Sequence, residues 1–277
     1  MSQLPKFADL HLHTSFSDGT YSADELVSRS LKAGLSAVAV CDHDTVDGLS
    51  PCIETGLRND LEVIPGIELT AESDSQEIHI LGYFIDYHSR ALNEKLLTLN
   101  KIRVERVYKI IEKLKHMGME LDPHGVFSIS GSGTVGRLHI ARAMHKQGLI
   151  GSVYEAFHKY IGDKGPAYVS NFRFPPEKAI KLIRDSGGIP VLAHPYVIRN
   201  DDLLHELIKK GLMGLEVYYP EHSQSMINFY LNLAKENGLL VTGGSDCHGT
   251  AKPEVKIGLI KIPYDLVDKL REAKDKL

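Results

Sequence analysis

Cysteine is scarce in this chain, and long apolar runs are absent. The three cysteines, Cys41, Cys52 and Cys247, are odd in number and show no paired spacing. No apolar run approaches the length of a membrane span, and no basic segment followed by an apolar one stands at the N-terminus. We therefore expect a reduced, cytoplasmic protein with no membrane association and no obligatory protein partner.

The composition is typical of a globular protein. Of the 277 residues, 43% are hydrophobic and 25% are charged, and the formal net charge is −4. A chain of this length forms one large domain, or one domain with a sizeable insertion. The chain contains 14 histidines, so their distribution along the sequence is informative.

Seven short apolar runs predict β-strands, and helical patterns lie between many of them. The predicted strands span 7–13, 37–41, 62–67, 78–85, 189–193, 214–219 and 239–243. The predicted helices span 22–34, 176–186, 201–210, 223–237 and 264–276. Such alternation indicates parallel βαβ units, in an α/β barrel or an open sheet. Polar residues gather at the carboxyl ends of the strands, which favours a seven-stranded (β/α) barrel over the open sheet.

The alternation stops between about 90 and 178. Helical patterns without intervening strands span about 92–117, 135–148 and 152–161. We therefore divide the chain into a barrel, 1–90 and 179–277, and an inserted helical subdomain, 91–178.

The inserted segment is basic, whereas the rest of the chain is acidic. Residues 95–178 contain 14 Lys and Arg against 7 Asp and Glu, and the remaining residues carry a net charge of −11. This excess has two interpretations that we weigh equally. It is either a solvated helical surface or a basic flap that attracts an anionic substrate.

The first predicted strand contains a pair of histidines with metal-binding spacing. Side chains alternate between the two faces of a strand, so His11 and His13 point the same way. Two imidazoles a few ångströms apart on one face suit a transition metal. The structural alternative is a pair of histidines on a half-exposed strand.

Seven further candidate ligands stand mostly at or just beyond strand ends. Each alone has an ordinary explanation, such as a hydrogen-bonded core histidine or, for Asp18, a turn before Gly19. Together they exceed the ligand number of one zinc-like ion and suit two or three ions. Glu68 is the expected bridge because a carboxylate has two oxygens. The full set is His11, His13, Asp18, His43, Glu68, His79, His194, Asp246 and His248. Nitrogen and oxygen ligands without thiolate favour Mn, Zn or Fe.

These residues occur in ordered motifs that resemble the polymerase and histidinol phosphatase (PHP) family of metal-dependent phosphoesterases. The motifs are HLHTSFSDG at 11–19, DHDT at 42–45, GIE at 66–68, IHILGY at 78–83, AHP at 193–195 and SDCHG at 245–249. The resemblance implies a distorted seven-stranded barrel with a trinuclear site. It implies three ligand groups: His11, His13, Glu68 and Asp246; Glu68, His79 and His194; and Asp18, His43 and His248.

Within this family, the helical insertion and its segment GRLHIARAM at 136–144 are most similar to stand-alone enzymes that hydrolyse nucleotide phosphates and short oligonucleotides. Independently of the family, two or three divalent ions favour hydrolysis of a phosphate ester by a metal-bound hydroxide. We therefore expect a small phosphorylated substrate, a 3',5'-bisphosphate nucleotide or a short oligonucleotide.

Contacts with the substrate are predicted from position. Arg137 and His139 begin an insertion helix whose free N–H groups suit a phosphate, although a solvated helix start fits equally well. Lys164 is a candidate for a second phosphate, with a plain surface lysine as the alternative. We assign catalytic roles to His194, as a ligand, and to His222, as a proton donor to the leaving oxygen.

Three rival functions share parts of this pattern. One is histidinol-phosphate phosphatase activity, against which the basic insertion argues. A second is an amidohydrolase-like hydrolase, in which a carbamylated lysine commonly takes the place of Glu68. The third is a non-catalytic metal-binding module that serves a polymerase, against which the complete set of ligands argues.

Overall fold

A computed structural model describes residues 5–74, 76–170, 174–198 and 201–277. Within these ranges eight strands form one sheet, in the order β7-β6-β5-β4-β3-β2-β1-β8. The strands are β1 (Phe7–Leu12), β2 (Ala37–Val40), β3 (Glu62–Ser73), β4 (Gln76–Tyr83), β5 (Ile189–Leu192), β6 (Gly214–Tyr218), β7 (Leu240–Gly243) and β8 (Ile262–Pro263). Residues 171–173, part of the predicted insertion, lie outside the described ranges.

Helices cover the sheet and continue into the insertion. They are α1 (Ala23–Lys32), α2 (Leu49–Arg58), α3 (Arg90–His116), α4 (Pro123–Ser130), α5 (Arg137–Lys146), α6 (Val153–Ala156), α7 (Pro176–Asp185), α8 (Asp201–Lys209), α9 (Gln224–Asn237) and α10 (Asp265–Lys274). Helix α1 begins where Ser22 and Glu25 form a reciprocal capping box. Helix α6 continues into a π-helical turn, Phe157–Ile161. None of the described helices is long and apolar enough to cross a membrane.

Strand β1, the neighbour of the edge strand β8, meets the residues that follow β7 at the opposite edge of the sheet. Leu12 and Cys247 form a parallel bridge, and the Asp246 N–H donates to the His11 carbonyl oxygen at 2.8 Å. Gly244 makes this approach possible, since an added Cβ there would lie 2.4 Å from the His11 backbone nitrogen. The sheet therefore nearly closes, and the predicted barrel, rather than the open sheet, is confirmed.

The direction of strand β4 differs from the prediction. We expected parallel units throughout, but β4 runs antiparallel to both β3 and β5. The reason is that β3 extends to Ser73 and turns back near Asp74, whose φ of 48° is left-handed. An antiparallel pair needs only such a short turn, whereas a parallel pair needs a crossover. The predictions also missed α2, α4 and the short strand β8.

Helix α3 connects two hydrophobic cores. Its first half packs into the barrel core through Leu92, Leu96 and Leu99. Its second half, together with α4, α5 and the π-helical turn after α6, forms a second hydrophobic core. That second core includes Val107, Ile110, Leu114, Val126, Ile140, Met144 and Ile161.

The insertion core is tested by one substitution and its matched control on the same helix. Leu114 is fully buried, so Leu114→Ala should lower the free energy of unfolding by about 2–5 kcal/mol. Leu97 is 65% exposed, and Leu97→Ala should change it by less than about 0.5 kcal/mol. Urea unfolding followed by circular dichroism measures both. Equal losses would contradict a separate, tightly packed core.

Candidate metal centre

The nine predicted ligands come together at one end of the barrel. His11 and His13 lie at the end of β1, with ring centroids 5.1 Å apart. Because β4 is antiparallel, His79 near its start pairs with Thr70 near the end of β3, so it reaches the same end. The remaining ligands are in strand β3 or in loops that follow β1, β2, β5 and β7: Glu68, Asp18, His43, His194, Asp246 and His248.

The Glu68 carboxylate lies at the centre of this cluster and is 1% exposed. Its Oε1 lies 2.7 Å from Nδ1 of His79 and 3.2 Å from Nε2 of His194. Its Oε2 lies 3.2 Å from a ring nitrogen of each of three other histidines: His11, His13 and His43. A carboxylate with histidines beside both oxygens could bridge two ions held by those histidines.

Among the residues that the structure describes, three groups of side chains have ligand atoms within 4.8 Å of one another. They are His11, His13, Glu68 and Asp246; His43, Glu68 and His79; and His13, Asp18, His43 and His248. His194 contacts the second group through its 3.2 Å approach to Glu68. These groups differ from the predicted sets in two further ways. His43 lies beside Glu68 as well as beside Asp18 and His248, and His13 belongs to two groups rather than to one.

Several buried atoms of the cluster lack hydrogen bonds, as expected for atoms that bind metal. They include both ring nitrogens of His13, Oδ1 of Asp18, and Nδ1 of both His43 and His79. His13 Nε2 nevertheless lies 3.0 Å from Asp246 Oδ1, without the angles of a hydrogen bond. Separations of about 3 Å are those between neighbouring ligands whose bonds to an ion are about 2.0–2.2 Å. The residues therefore fit a metal centre.

Electrostatics keeps the carboxylates of the cluster ionised. Burial raises the pKa of Glu68, but His43, His79 and His11 outweigh it and hold the pKa well below its usual value. Burial likewise opposes ionisation of Asp246, yet Lys252 and the neighbouring imidazoles hold its pKa well below the usual value. Both carboxylates are therefore available as anionic ligands at neutral pH.

Glu216, which was not predicted from the sequence, contacts two of the candidate ligands, His11 and His194. Its side chain is fully buried on β6. Oε1 lies 2.9 Å from Nδ1 of His11, and Oε2 accepts a hydrogen bond from the His194 backbone N–H at 2.8 Å. His194 has a left-handed backbone with φ 30°, a strained conformation for a residue with a Cβ. Glu216 thus orients one imidazole and holds the backbone of another.

Glu77 supports His79 in the same way and connects it to the insertion. Its Oε1 lies 3.0 Å from Nε2 of His79. Arg106 on α3 and Arg137 on α5 form ion pairs with Glu77 at 2.7 and 2.9 Å. Arg137, a predicted phosphate ligand, also pairs with Asp163 at 2.6 Å. Its guanidinium is thus held by two carboxylates.

Two buried aspartates fix the loops that carry the ligands. Asp9 accepts hydrogen bonds from Ser245 and from the Gly258 backbone N–H. Burial raises the pKa of Asp9 to about 6 despite these donors. Asp42 accepts from the Thr14 N–H at 2.8 Å and from its hydroxyl at 2.6 Å. Each aspartate ties the loop after one strand to a neighbouring strand.

The other predicted substrate and acid residues are His139, His222 and Lys164. His139 is 1% exposed, and its Nδ1 accepts a hydrogen bond from the Gly136 N–H. Burial lowers the pKa of His139 to about 4. His222 Nδ1 donates to the Val217 carbonyl oxygen, and its ring packs against Tyr219. Lys164 is exposed in the loop after the π-helical turn.

Two chambers open beside the cluster. The polar chamber, about 130 Å³, is lined by His43, His79, His248, Arg103, Arg137 and Lys252, among others. The aromatic chamber, about 760 Å³, includes Asp246, Lys252, Tyr154, Phe157, Tyr196 and Tyr219 in its walls. Lys252 faces both chambers and lies 3.1 Å from Asp246 Oδ2. It was not predicted, although it follows the SDCHG motif closely.

Comparison with known proteins gives a consistent set of relatives. The 5'-3' exoribonuclease Rnm of Escherichia coli is 30% identical over 264 residues, 90% of this chain and 87% of the relative. The 3',5'-nucleoside bisphosphate phosphatase of Chromobacterium violaceum is 27% identical over 266 residues, 90% of each chain. The phosphoribosyl 1,2-cyclic phosphate 1,2-diphosphodiesterase of Eggerthella lenta is 27% identical, with 87% of this chain and 94% of the relative covered.

A solved structure and a family match agree with these relatives. A candidate metal-dependent phosphoesterase from Bifidobacterium adolescentis superimposes with a TM-score of 0.87 at 30% identity, over 96% of both chains. Residues 9–163 match the family described as PHP domain. The predicted family is therefore confirmed: the chain belongs to the PHP domain family of metal-dependent phosphoesterases.

Proposed function

We propose that this chain hydrolyses phosphate esters of nucleotides, either 3',5'-bisphosphate nucleotides or short oligoribonucleotides. The observation that carries the proposal is the bridging position of Glu68 between histidines, beside a polar and an aromatic chamber. Two relatives with these named substrates, the exoribonuclease and the bisphosphate phosphatase, each align with 90% of this chain. The aromatic chamber also favours a substrate larger than histidinol phosphate.

In this proposal the nine ligands hold two or three divalent ions, of Mn, Zn or Fe. When bound, such ions supply an activated water and neutralise the charge of the phosphoryl group. The buried ring nitrogens of His13, which lie beside carboxylates without making hydrogen bonds, support this role. Glu68 would bridge two such ions, which favours a phosphoesterase over an amidohydrolase with a carbamylated lysine. Three buried free cysteines support a reducing, cytoplasmic location.

The residues of the chain itself position the phosphate. Burial disfavours the charge of Lys252, but Asp246 and Asp18 outweigh it and raise its pKa above the usual value. Lys252 therefore stays cationic and binds a phosphate oxygen between the two chambers. The Tyr219 hydroxyl donates to Asp246 Oδ2 at 2.9 Å and fixes this carboxylate. The ring of His222 packs against Tyr219 with centroids 5.4 Å apart, so in this proposal a proton from His222 reaches the substrate through the tyrosine or a water.

In this proposal, segment 91–178 is a cover over the cluster. Arg137 and Phe157 of this segment line chambers whose opposite walls come from the barrel. The cover limits the access of water and surrounds the substrate.

A substrate panel tests the proposed function. Phosphate release is measured from a 3',5'-bisphosphate nucleotide, a 5'-phosphorylated short RNA, histidinol phosphate and a generic aryl phosphate, each with Mn or Zn. The nucleotide substrates should have the highest kcat/KM. Turnover of histidinol phosphate alone would overturn the proposal.

Removing a central ligand should abolish turnover and leave the fold intact. His11→Ala and Glu68→Gln should each reduce kcat by about 10³-fold or more, because metal and phosphate positioning depends on these groups. Phosphate release measures the loss, and circular dichroism checks the fold. His88→Ala, at an exposed histidine outside the cluster, is the control. An unchanged rate in either ligand variant would show that the cluster is not the active site.

Metal removal should affect both activity and stability. A chelator should abolish phosphate release and lower Tm by several degrees, because ions that bind the folded state stabilise it. Adding Mn or Zn should restore both. Thermal unfolding and phosphate release are measured on the same sample. Full activity after exhaustive chelation would contradict metal dependence.

Glu216→Gln should weaken metal binding about 10- to 100-fold. The glutamine has nearly the same shape but only one accepting end, so its NH₂ group must face either the His11 Nδ1–H or the His194 N–H. Competition with a chromophoric chelator measures the affinity. Glu206→Gln, at an exposed glutamate of α8, is the matched control. If the Glu216→Gln variant binds metal as tightly as the Glu206→Gln control, Glu216 does not support the ligands.

A further inference from the structure

The aromatic chamber is built by two parts of the fold. Tyr154 and Phe157 come from α6 and the π-helical turn of the insertion. Tyr196 and Tyr219 come from the loops that follow β5 and β6 of the barrel. Asp246, a candidate ligand of the metal centre, also lines the chamber. The chamber is therefore continuous with the cluster.

The rings in this chamber offer flat apolar faces. The centroids of Tyr196 and Tyr219 are 5.8 Å apart with an interplanar angle of 32°. Tyr219 also packs against His194 at 5.4 Å. Tyr154 is 75% exposed at the rim, where its ring stacks on His158. Such an exposed aromatic beside a chamber has no partner in the core and is suited to a flat ligand.

Charged and polar side chains also line the chamber. Lys252 lies at the end next to the cluster, within reach of a phosphate. Glu221 and Ser152 line the wall with oxygen atoms that suit the edges of a base or the hydroxyls of a ribose. A volume of about 760 Å³ lies within the range of about 300–1,000 Å³ found for small-molecule sites. The chamber therefore combines a cation beside the cluster with aromatic rings, the two kinds of group that suit the phosphate and the base of a nucleotide.

We propose that this chamber binds the nucleobase of the substrate by stacking, with Tyr154 from the insertion and Tyr196 from the barrel as the stacking residues. The inference rests on the proposed function, since it assumes that the phosphate of the same molecule lies at the metal centre. It adds a specific consequence: the enzyme prefers esters that carry a base over esters of a bare sugar.

Binding is tested through a fluorescent variant. The chain contains no tryptophan, so Tyr154→Trp introduces a single emitter at the rim. Because Tyr154 is mostly exposed, the substitution leaves the core untouched. The metal-loaded variant is titrated with adenosine 5'-monophosphate and, separately, with ribose 5-phosphate. The nucleotide should quench the emission saturably, and the sugar phosphate should not. Equal responses, or no response to the nucleotide, would overturn the proposal.

Kinetics gives a second, independent test. Loss of a stacking residue typically costs about 5- to 150-fold per base, so Tyr196→Leu should raise KM for a bisphosphate nucleotide by a factor in this range. KM for ribose 5-phosphate should stay unchanged, and Tyr196→Phe should retain the KM of the parent enzyme. Tyr108→Leu, at an exposed tyrosine of α3 outside the chamber, is the matched control. An equal rise for both substrates would indicate a structural defect and contradict base stacking.

The two proposals fail in different ways. If nucleotides are hydrolysed while the emission of the Tyr154→Trp variant does not respond to them, the base-binding chamber is wrong and the proposed function stands. If no nucleotide is hydrolysed and another phosphate ester is, the proposed function is wrong whatever the fluorescence shows.

Discussion

The buried carboxylate of Glu68 is the constraint on which the arrangement of the site depends. An unpaired carboxylate that is 1% exposed would be too costly to keep ionised. It is ionised because five imidazole nitrogens from β1, β2, β4, β5 and their following loops surround it. In a flat sheet β1 and β5 would be four strand spacings, about 19 Å, apart. The rings of His11 and His194 instead stack with centroids 6.1 Å apart, so the site requires the curvature of the barrel.

A second layer of buried acids explains why the ligands hold their positions. Glu216 orients His11, Glu77 orients His79, and Asp9 and Asp42 fix the loops behind them. Such groups set the tautomer and direction of a ligand, and they raise its basicity. Part of the acidic excess of the barrel thus lies inside, around the site, rather than on a solvated surface. The same acids would balance the positive charge of metal ions bound at this buried site.

The sequence predicted the parts of the site that depend on local periodicity. Strand alternation puts His11 and His13 on one face, and parallel strands bring their carboxyl ends together, as the structure has them. The antiparallel direction of β4 depends on a turn near Asp74 that carries no strong turn motif. Glu216 was missed because its partner His11 is 205 residues away, and no spacing within one strand reveals such a contact. The chamber was missed for the same reason, since its walls come from distant segments.

The basic charge of the insertion has a structural use that the sequence analysis did not consider. Arg103 pairs with Asp44 at 2.6 Å, and Arg106 and Arg137 pair with Glu77. These three guanidinium groups are buried or nearly so, and they contact the barrel rather than solvent. Breaking a buried pair by removing one partner is costly, because the other charge is left uncompensated. Since Glu77 also contacts His79, these ion pairs connect helices α3 and α5 to a candidate ligand of the metal centre.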